Sequence, residues 1–298
     1  MAYFLQQIAS AVPVAALYAA LAFGYAIAFA VTRRADLTYG ALFAFAGQIF
    51  VLFVDFGWNS LWLVLPAALA IGALAALTFG LGAGLVAGRY VMRPLAFSSA
   101  NAVVVASLGS LIVLMEAARL ASETRSLWLP PFLNDVIVFW PNPGFPVTLT
   151  VIQLINTGLF AGLVAGGHWL LTQTYVGRYW RAVAEDREAA SLCGVDPTTV
   201  YIAAYGVASL VAAVCGILAA SYYGNMDFGM GLSFGVKVLF IAAIGGQASP
   251  LLAALGAAGI GFLETLWSAY GPILWRDLAI FGFLVIVLVV TRREKVIP

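Results

Sequence analysis

Long apolar segments recur along almost the whole chain and predict helices that cross a membrane. A helix needs about 20 apolar residues to span the hydrocarbon core of a bilayer. Segments that approach or exceed this length lie at 8–31, 38–54, 61–87, 101–121, 149–172, 199–222, 250–268 and 273–291. The shorter polar or basic stretches between them are the expected connecting loops.

A further apolar segment, 235–246, is too short to cross a bilayer alone. It ends in Gly245 and Gly246, and Ser249-Pro250 follows, which is a helix-breaking composition. This predicts either a broken helix or a short polar turn near one surface. The expected fold class is all-α. It is a polytopic transmembrane helical bundle with about 8–9 membrane segments, one of them short or broken near 235–250, in a single transmembrane domain over 1–298.

Composition supports lipid as the solvent for most of the surface. Hydrophobic residues make up 63% of the chain and charged residues only 9%, whereas soluble domains carry roughly 25% charged residues. A soluble protein of this size still needs a water-facing shell. The net charge of +1 gives no electrostatic reason to expect a nucleic-acid partner.

Basic residues predict the orientation, because loops on the cytoplasmic side are enriched in Lys and Arg. With nine crossings, an external N-terminus and an internal C-terminus, ten of the 14 fall on the cytoplasmic side: Arg33, Arg34, Arg89, Arg93, Arg178, Arg181, Arg187, Arg292, Arg293 and Lys295. Segment 175–198 is then a cytoplasmic loop and 122–148 an external one. Because the external loop is rich in Trp and Pro, it is either a rigid flap at the membrane interface or a simple connection.

Three glycines in the third span, Gly80, Gly84 and Gly88, recur every four residues. This spacing places them near one helix face, where another helix backbone can approach closely. We expect the stripe to serve helix packing; the alternative is that it lines a substrate path.

The cytoplasmic loop carries the most informative motif. Residues 181–193 are rich in Ala, Arg and Glu and predict one helix. Gly194 is its expected C-terminal stop, and Asp196-Pro197 is the expected start of the next span. A short amphipathic helix lying along a membrane is a suitable shape for docking into a groove on a soluble protein.

Glu188-Ala189-Ala190, followed by three residues and Gly194, resembles the EAA signature of ABC importer permeases. The longer run 181–195 is similar to one branch, the high-affinity branched-chain amino-acid permease family of the LivH type. Further family-like segments are Tyr3–Gln7, the Tyr18–Gly24–Tyr25 pattern, span six with Tyr222-Tyr223-Gly224, and Lys237 followed by Gly245-Gly246. Two segments depart from the family pattern: Asp36–Ala41, which lacks the usual His and Glu, and Gln247–Leu252. These two departures leave the substrate open. The Ile-x-Leu-Pro ending of the general signature is also missing after Gly194.

The resemblance implies a multi-pass permease of the bacterial inner (cytoplasmic) membrane that makes and breaks no covalent bonds. It implies a second permease subunit (favouring a paralogue), two cytoplasmic ATPase subunits that bind ATP and magnesium, and an external solute-binding protein. No cofactor is expected in this chain, which has no phosphate-binding Gly-x-x-x-x-Gly-Lys-Ser/Thr motif. The implied solute is a branched-chain or other amino acid, or a related amide such as urea. The residues expected to couple to the ATPase are Arg181, Glu185, Asp186, Glu188, Ala189, Ala190 and Gly194.

Polar residues inside spans are costly and are functional candidates by default. Lys237 either snorkels to the outer interface or faces the interior, where it holds a substrate carboxylate or closes an outer gate. Glu116 and Arg119 are three residues apart and predict a structural pair. The possible translocation path comprises Tyr39, Gln48, Asn156, Lys237, Gly245, Gly246, Gln247 and Glu264.

Two other functions compete with the importer interpretation. An ATP-independent secondary transporter or channel usually shows ionisable residues at mid-span, often in paired repeats, and has no reason to carry the EAA-like loop. An intramembrane enzyme needs a carboxylate cluster, a metal site or a nucleophile–base pair. The single histidine, His168, excludes any site that requires two histidines.

Overall fold

The computed structural model describes residues 2–95, 100–141, 146–227, 229–244 and 249–291. In this part of the chain the helices are α1 (Ala2–Thr32), α2 (Thr38–Asn59), α3 (Leu65–Val86), α4 (Arg93–Leu95), α5 (Ala100–Ala121), α6 (Val151–Gln173), α7 (Tyr175–Glu185), α8 (Arg187–Leu192), α9 (Pro197–Tyr223), α10 (Met230–Ile244), α11 (Pro250–Tyr270) and α12 (Arg276–Thr291). A π-helical turn, Ala87–Met92, joins α3 to α4, and a 3₁₀ turn, Ile273–Trp275, precedes α12.

Eight helical segments in the described residues are long and apolar enough to cross a membrane. A shorter apolar segment, Met230–Ile241, lies in α10. The prediction of about 8–9 membrane segments in an all-α bundle is therefore confirmed. Helix α10 begins five residues before the predicted start at 235, directly after the turn in which the Met230 N–H donates to the Asp227 carbonyl at 3.2 Å.

Helix α1 is the central element of the bundle. Its residues from Tyr18 to Ala30 are almost all buried, and it packs against α6, α9, α10 and α11. A second group, α2, α3 and α9, forms the neighbouring part of the core. Helices α5, α6 and α12 instead expose large apolar side chains, among them Ile112, Leu159 and Val289, as expected of surfaces that face lipid or another membrane subunit.

The glycine stripe packs against α9. A Cβ added at Gly80, Gly84 or Gly88 would lie within 3 Å of Ala213, Ser209 or Tyr205, respectively. These three partners also recur every four residues, so two matching helix faces meet along their length. The packing interpretation of the stripe is confirmed.

The loop between α5 and α6 contains a structure that the sequence did not predict. Strands β1 (Val136–Trp140) and β2 (Val147–Thr150) form an antiparallel pair. The Gln6 side chain ties β2 to the start of α1: its Nε2 donates to the Thr148 carbonyl at 2.9 Å, and its Oε1 accepts from the Thr148 N–H at 2.7 Å. The loop is therefore anchored to the bundle, which favours the rigid flap over the simple connection.

Candidate functional site

The loop between α6 and α9 contains two helices, α7 and α8, so the prediction of one helix over 181–193 is wrong. Asp186 breaks the helix with an extended backbone (φ −146°, ψ 111°). Its Oδ1 accepts from the N–H groups of Glu188 at 2.9 Å and Ala189 at 3.0 Å, which caps the start of α8. Aspartate is among the best N-cap residues because it satisfies these otherwise unpaired donors. This preference of aspartate for the N-cap position was the sequence signal that could have indicated a helix start at Asp186.

The end of α8 is a Schellman motif. The Val195 N–H donates to the Ala190 carbonyl at 3.0 Å and the Gly194 N–H to the Ser191 carbonyl at 3.1 Å. This pattern needs a left-handed residue, and Gly194 supplies it with φ +84°. The prediction that Gly194 ends the helix is confirmed.

The next span starts as predicted. Asp196 caps α9 by accepting from the Thr198 N–H at 3.0 Å and the Thr199 N–H at 3.1 Å, and Pro197 is the first helical residue. Hydrogen bonds to the carboxylate, led by that of the Thr199 hydroxyl, lower the pKa of Asp196. Helix α8 thus begins at the Asp186 cap and ends at the Schellman motif of Gly194, and the Asp196 cap of α9 follows directly.

Helix α7 is fixed to the bundle by two side chains. The Trp180 ring is buried, and its Nε1–H donates to the Ile27 carbonyl of α1 at 3.0 Å. Arg181 donates to the Leu171 carbonyl at the end of α6, at 2.9 Å. Arg181 therefore holds the turn between α6 and α7, a structural contact that the sequence did not indicate.

Arg33 joins the end of α1 to the end of α7. One guanidinium nitrogen donates to the carbonyls of Ala184 at 2.7 Å and Glu185 at 3.1 Å. These carbonyls have no partner further along the helix, and a cation is favoured at this end of the helix dipole. From the sequence, Arg33 was predicted only to be a basic residue on the cytoplasmic side. The sequence did not indicate this contact, because its partners lie about 150 residues further along the chain.

The remaining coupling candidates differ in exposure. Glu185, Asp186, Glu188, Ala189 and Gly194 are exposed, whereas Ala190 is buried against the bundle. Leu192, which the sequence analysis did not single out, is 90% exposed. An open hollow beside α8 is lined by charged residues, including Arg33, Arg34, Glu185, Asp186, Arg187 and Glu188. The loop therefore presents a charged rim next to an exposed apolar side chain.

Lys237 and Glu264 form a buried ion pair. The Lys237 Nζ lies 2.8 Å from Glu264 Oε1 and 3.4 Å from Asp277 Oδ1. The Tyr18 hydroxyl donates to Glu264 Oε2 at 2.7 Å. Lys237 is 6% exposed and Glu264 8%, so Lys237 faces the interior and does not snorkel. The Arg276 Nε lies 3.7 Å from Glu264 Oε1 and 3.4 Å from Asp277 Oδ1. We call Tyr18, Lys237, Glu264, Arg276 and Asp277 the ionic cluster.

The other path candidates in the described part of the chain do not gather around this cluster. Gln48 is buried beside Ser122, to which its Nε2 donates at 3.4 Å, and Asn156 donates to the Leu218 carbonyl at 3.0 Å. The Tyr39 hydroxyl is buried with no hydrogen-bond partner in the described residues. Gly245, Gly246 and Gln247 lie outside the described residues.

Asp36 ties the loop between α1 and α2 to α9. Its Oδ2 accepts from the Tyr205 hydroxyl at 2.8 Å, and its Oδ1 accepts from the Thr38 N–H at 2.8 Å. Desolvation raises the pKa of this carboxyl, against the lowering effect of its hydrogen bonds. Asp36 is thus a structural tie, although the sequence noted it only as a departure from the family pattern.

The sequence profile described as "Branched-chain amino acid transport system / permease component" matches residues 7–289. The chain belongs to this family. The relatives of this permease include the LivH protein of Salmonella typhimurium, a high-affinity branched-chain amino acid transport system permease, which is 26% identical over 97% of this chain and 94% of its own length. BraD of Pseudomonas aeruginosa, named for the same kind of system, is 24% identical over 96% of this chain and 93% of its own length.

Other matching proteins are named for the import of different solutes. The autoinducer 2 import system permease LsrC of Enterobacter sp. is 29% identical over 89% of this chain and 74% of its own length. No solved structure matches the permease. The family and the eight apolar helices make this chain a multi-pass protein of the bacterial inner membrane and a permease subunit of an ABC importer. The family assignment favours this function over the ATP-independent transporter.

Proposed function

We propose that this permease imports a branched-chain or other amino acid, or a related amide such as urea, and that separate subunits hydrolyse ATP. Two cytoplasmic ATPase subunits with bound magnesium, a second permease subunit and an external solute-binding protein complete the proposed importer. The observation that carries the proposal is α8, a short exposed helix capped at both ends and placed between the anchored α7 and α9. The relatives named for amino-acid transport support the solute class.

The proposed mechanism begins with α8 docked in a groove on the ATPase. Leu192 supplies apolar contact, and Glu188 is available for a basic residue of the partner. Closure of the ATPase subunits on ATP moves α8, and its fixed neighbours carry the movement into the spans. ATP then biases the permease between an outward-open and an inward-open state.

We expect variants Gly194→Val and Glu188→Lys to insert normally but to lose solute uptake. Valine cannot easily adopt the left-handed backbone of residue 194, so the end of α8 is displaced. Lysine at 188 reverses the charge offered to the partner and opposes the dipole at the helix start. Uptake of radiolabelled leucine and co-purification of the ATPase subunit are the two measurements, and we expect both to fall at least tenfold.

The controls separate coupling from folding. Gly194→Asn retains a residue that tolerates the left-handed region and should keep most uptake. Glu123→Lys makes the same charge change at an exposed residue on the opposite side of the predicted membrane and should be neutral. Full transport and full ATPase retention by both Gly194→Val and Glu188→Lys would contradict the coupling role of α8.

The substrate class is tested on the external binding protein. We expect isothermal titration calorimetry to detect binding of leucine, isoleucine, valine, another amino acid or urea. Sugars and autoinducer 2 belong in the same screen, because one relative is named for autoinducer 2 import. Binding of a sugar or a metal ion alone would reject the proposed solute while leaving the importer class unchanged.

A further inference from the structure

The cytoplasmic end of α1 is held to α7 at two levels. Arg33 donates to the last carbonyls of α7, and one to two turns earlier the Ile27 carbonyl accepts from the buried Trp180 ring. Phe23 and Ala30 pack in the same small apolar cluster as Trp180. A displacement of α7 along or across its axis therefore acts on the last turns of α1.

The middle of α1 is held to the ionic cluster. The Tyr18 hydroxyl donates to Glu264 at 2.7 Å and lies 3.5 Å from the Lys237 Nζ. Glu264 lies on α11 and Lys237 on α10, so one residue of α1 contacts charged groups of two further helices. On the other side of Tyr18, the ring of Phe234 from α10 packs edge-on at 5.8 Å.

The segment between these two attachments is suited to carrying movement. From Tyr18 to Thr32, α1 is an uninterrupted α-helix, and its single proline, Pro13, lies before this segment. At 1.5 Å per residue, Tyr18 and Arg33 are roughly 22 Å apart along the axis. Close packing on nearly all sides resists bending, so the helix moves as one body.

We propose that α1 links the ATPase-coupling loop to the ionic cluster, and that Arg33 and Tyr18 are the positioning residues at its two ends. The link rests on the proposed coupling role of α8, because it carries the movement that α7 and α8 receive. In one state the Tyr18 hydroxyl completes the pairing of Lys237 with Glu264. Displacement of α1 withdraws this hydroxyl and loosens the contact between α10 and α11.

The ion pair between Lys237 and Glu264 is expected to favour two distinct arrangements. Each Glu264 oxygen has a partner, and the Lys237 ammonium has three oxygen atoms within 3.5 Å. A buried charge that loses a partner is strongly disfavoured. The cluster therefore favours complete pairing or rearrangement to new partners over intermediate positions, and a small shift of α1 selects between the two.

The experiment follows a reporter cysteine beside the cluster in the complete importer. The background carries Cys193→Ser and Cys215→Ala, because these are the two cysteines of the chain, and Thr265→Cys places a half-buried thiol next to Glu264. The purified complex with its ATPase subunits is labelled with N-ethylmaleimide in lipid nanodiscs. Labelling rates are compared without nucleotide and after trapping with ATP and vanadate.

We expect the labelling rate at 265 to change at least fivefold on trapping in the parent. Arg33→Ala should reduce this ratio to near one while the rate without nucleotide is unchanged, and Arg33→Lys, which keeps one donor and the charge, should recover part of it. Tyr18→Phe should also abolish the ratio by removing only the hydroxyl. Trp180→Phe gives a second, milder test at the cytoplasmic end if Arg33→Ala does not assemble. Arg93→Ala, which removes an exposed arginine of α4 away from this contact, should match the parent.

Two results would overturn the proposal. One is a parent ratio near one, which shows that the cluster does not respond to ATP. The other is a full parental ratio in any assembled Arg33→Ala, Trp180→Phe or Tyr18→Phe complex. Leucine uptake by the parent is measured in parallel: retained ATP-driven uptake with no change at 265 rejects the α1 link alone, whereas absence of ATP-driven uptake and of any ATPase association rejects the proposed function.

Discussion

Lys237→Met should destabilise the permease by roughly 3 kcal/mol, the lower end of the cost of removing one partner from a buried ion pair, because the more distant Arg276 still faces Glu264. Glu264 would keep its charge within the bundle, with the Tyr18 hydroxyl at 2.7 Å and the Arg276 Nε at 3.7 Å as its remaining partners. Methionine has a similar length and no charge, so the cost arises from the loss of the shortest ion pair of the Glu264 carboxylate and not from a cavity. Thermal unfolding of the detergent-solubilised protein, followed by fluorescence-detected size exclusion, measures the loss.

The double variant Lys237→Met/Glu264→Gln should recover most of this stability, because it removes both charges and leaves an amide oxygen to accept from Tyr18. Glu116→Gln is the matched control. It breaks the Glu116–Arg119 pair, whose side chains are 49% and 43% exposed, and exposed pairs contribute about 0–1 kcal/mol. Equal stability of Lys237→Met and the parent would show that the Glu264 carboxylate does not depend on Lys237 to remain buried and charged.

Gly40→Ala should prevent α2 and α10 from packing. A Cβ at residue 40 would lie 2.3 Å from the Gly235 Cα and 2.5 Å from the Gly231 carbonyl oxygen. Both contacts are with backbone atoms, so rotation of a side chain cannot relieve them. We expect a loss of roughly 3 kcal/mol, at the upper end of typical overpacking, seen as a lower unfolding temperature and a lower yield of monodisperse protein.

Gly109→Ala on α5 is the matched control. No atom lies within 4 Å of a Cβ added there, and alanine favours the helix over glycine by about 1 kcal/mol. This variant should be neutral or slightly stabilising. If Gly40→Ala behaved in the same way, the close approach of α2 and α10 would be wrong.

Local sequence patterns predicted the spans, the glycine stripe and the end of α8 because each depends on neighbouring residues. Hydropathy decides whether a segment enters lipid, and Gly194 was identified from the helix that precedes it. The same reasoning gave one helix where there are two, because the high helix propensity of residues 181–193 concealed the capping role of Asp186. The strand pair in the loop between α5 and α6 was missed although Val136–Trp140 is a run of β-branched and aromatic residues typical of strands.

The partners of the buried polar groups were beyond this reasoning. The local sequence around Lys237 fits both an interfacial and an interior side chain, so it could not decide between these two locations. Its carboxylate partner is 27 residues away, and the tyrosine that completes the cluster is 219 residues away. Arg33 likewise contacts carbonyl groups of α7 that are about 150 residues away in the chain. Such contacts depend on how helices pack, and a single sequence does not encode packing in a local signal.

The ionic cluster also constrains the order in which the chain enters the membrane. A lysine at the centre of a helix costs roughly 2.5–3.5 kcal/mol on insertion scales, and α10 has only 15 residues to offset it. Glu264 emerges from the ribosome after α10 is complete. Helices α10 and α11 are therefore expected to enter the bilayer together as a hairpin that already carries its ion pair, and to pack against α1, which is synthesised earlier. Helix α12, which follows α11 in the chain, then adds Asp277 to the ionic cluster.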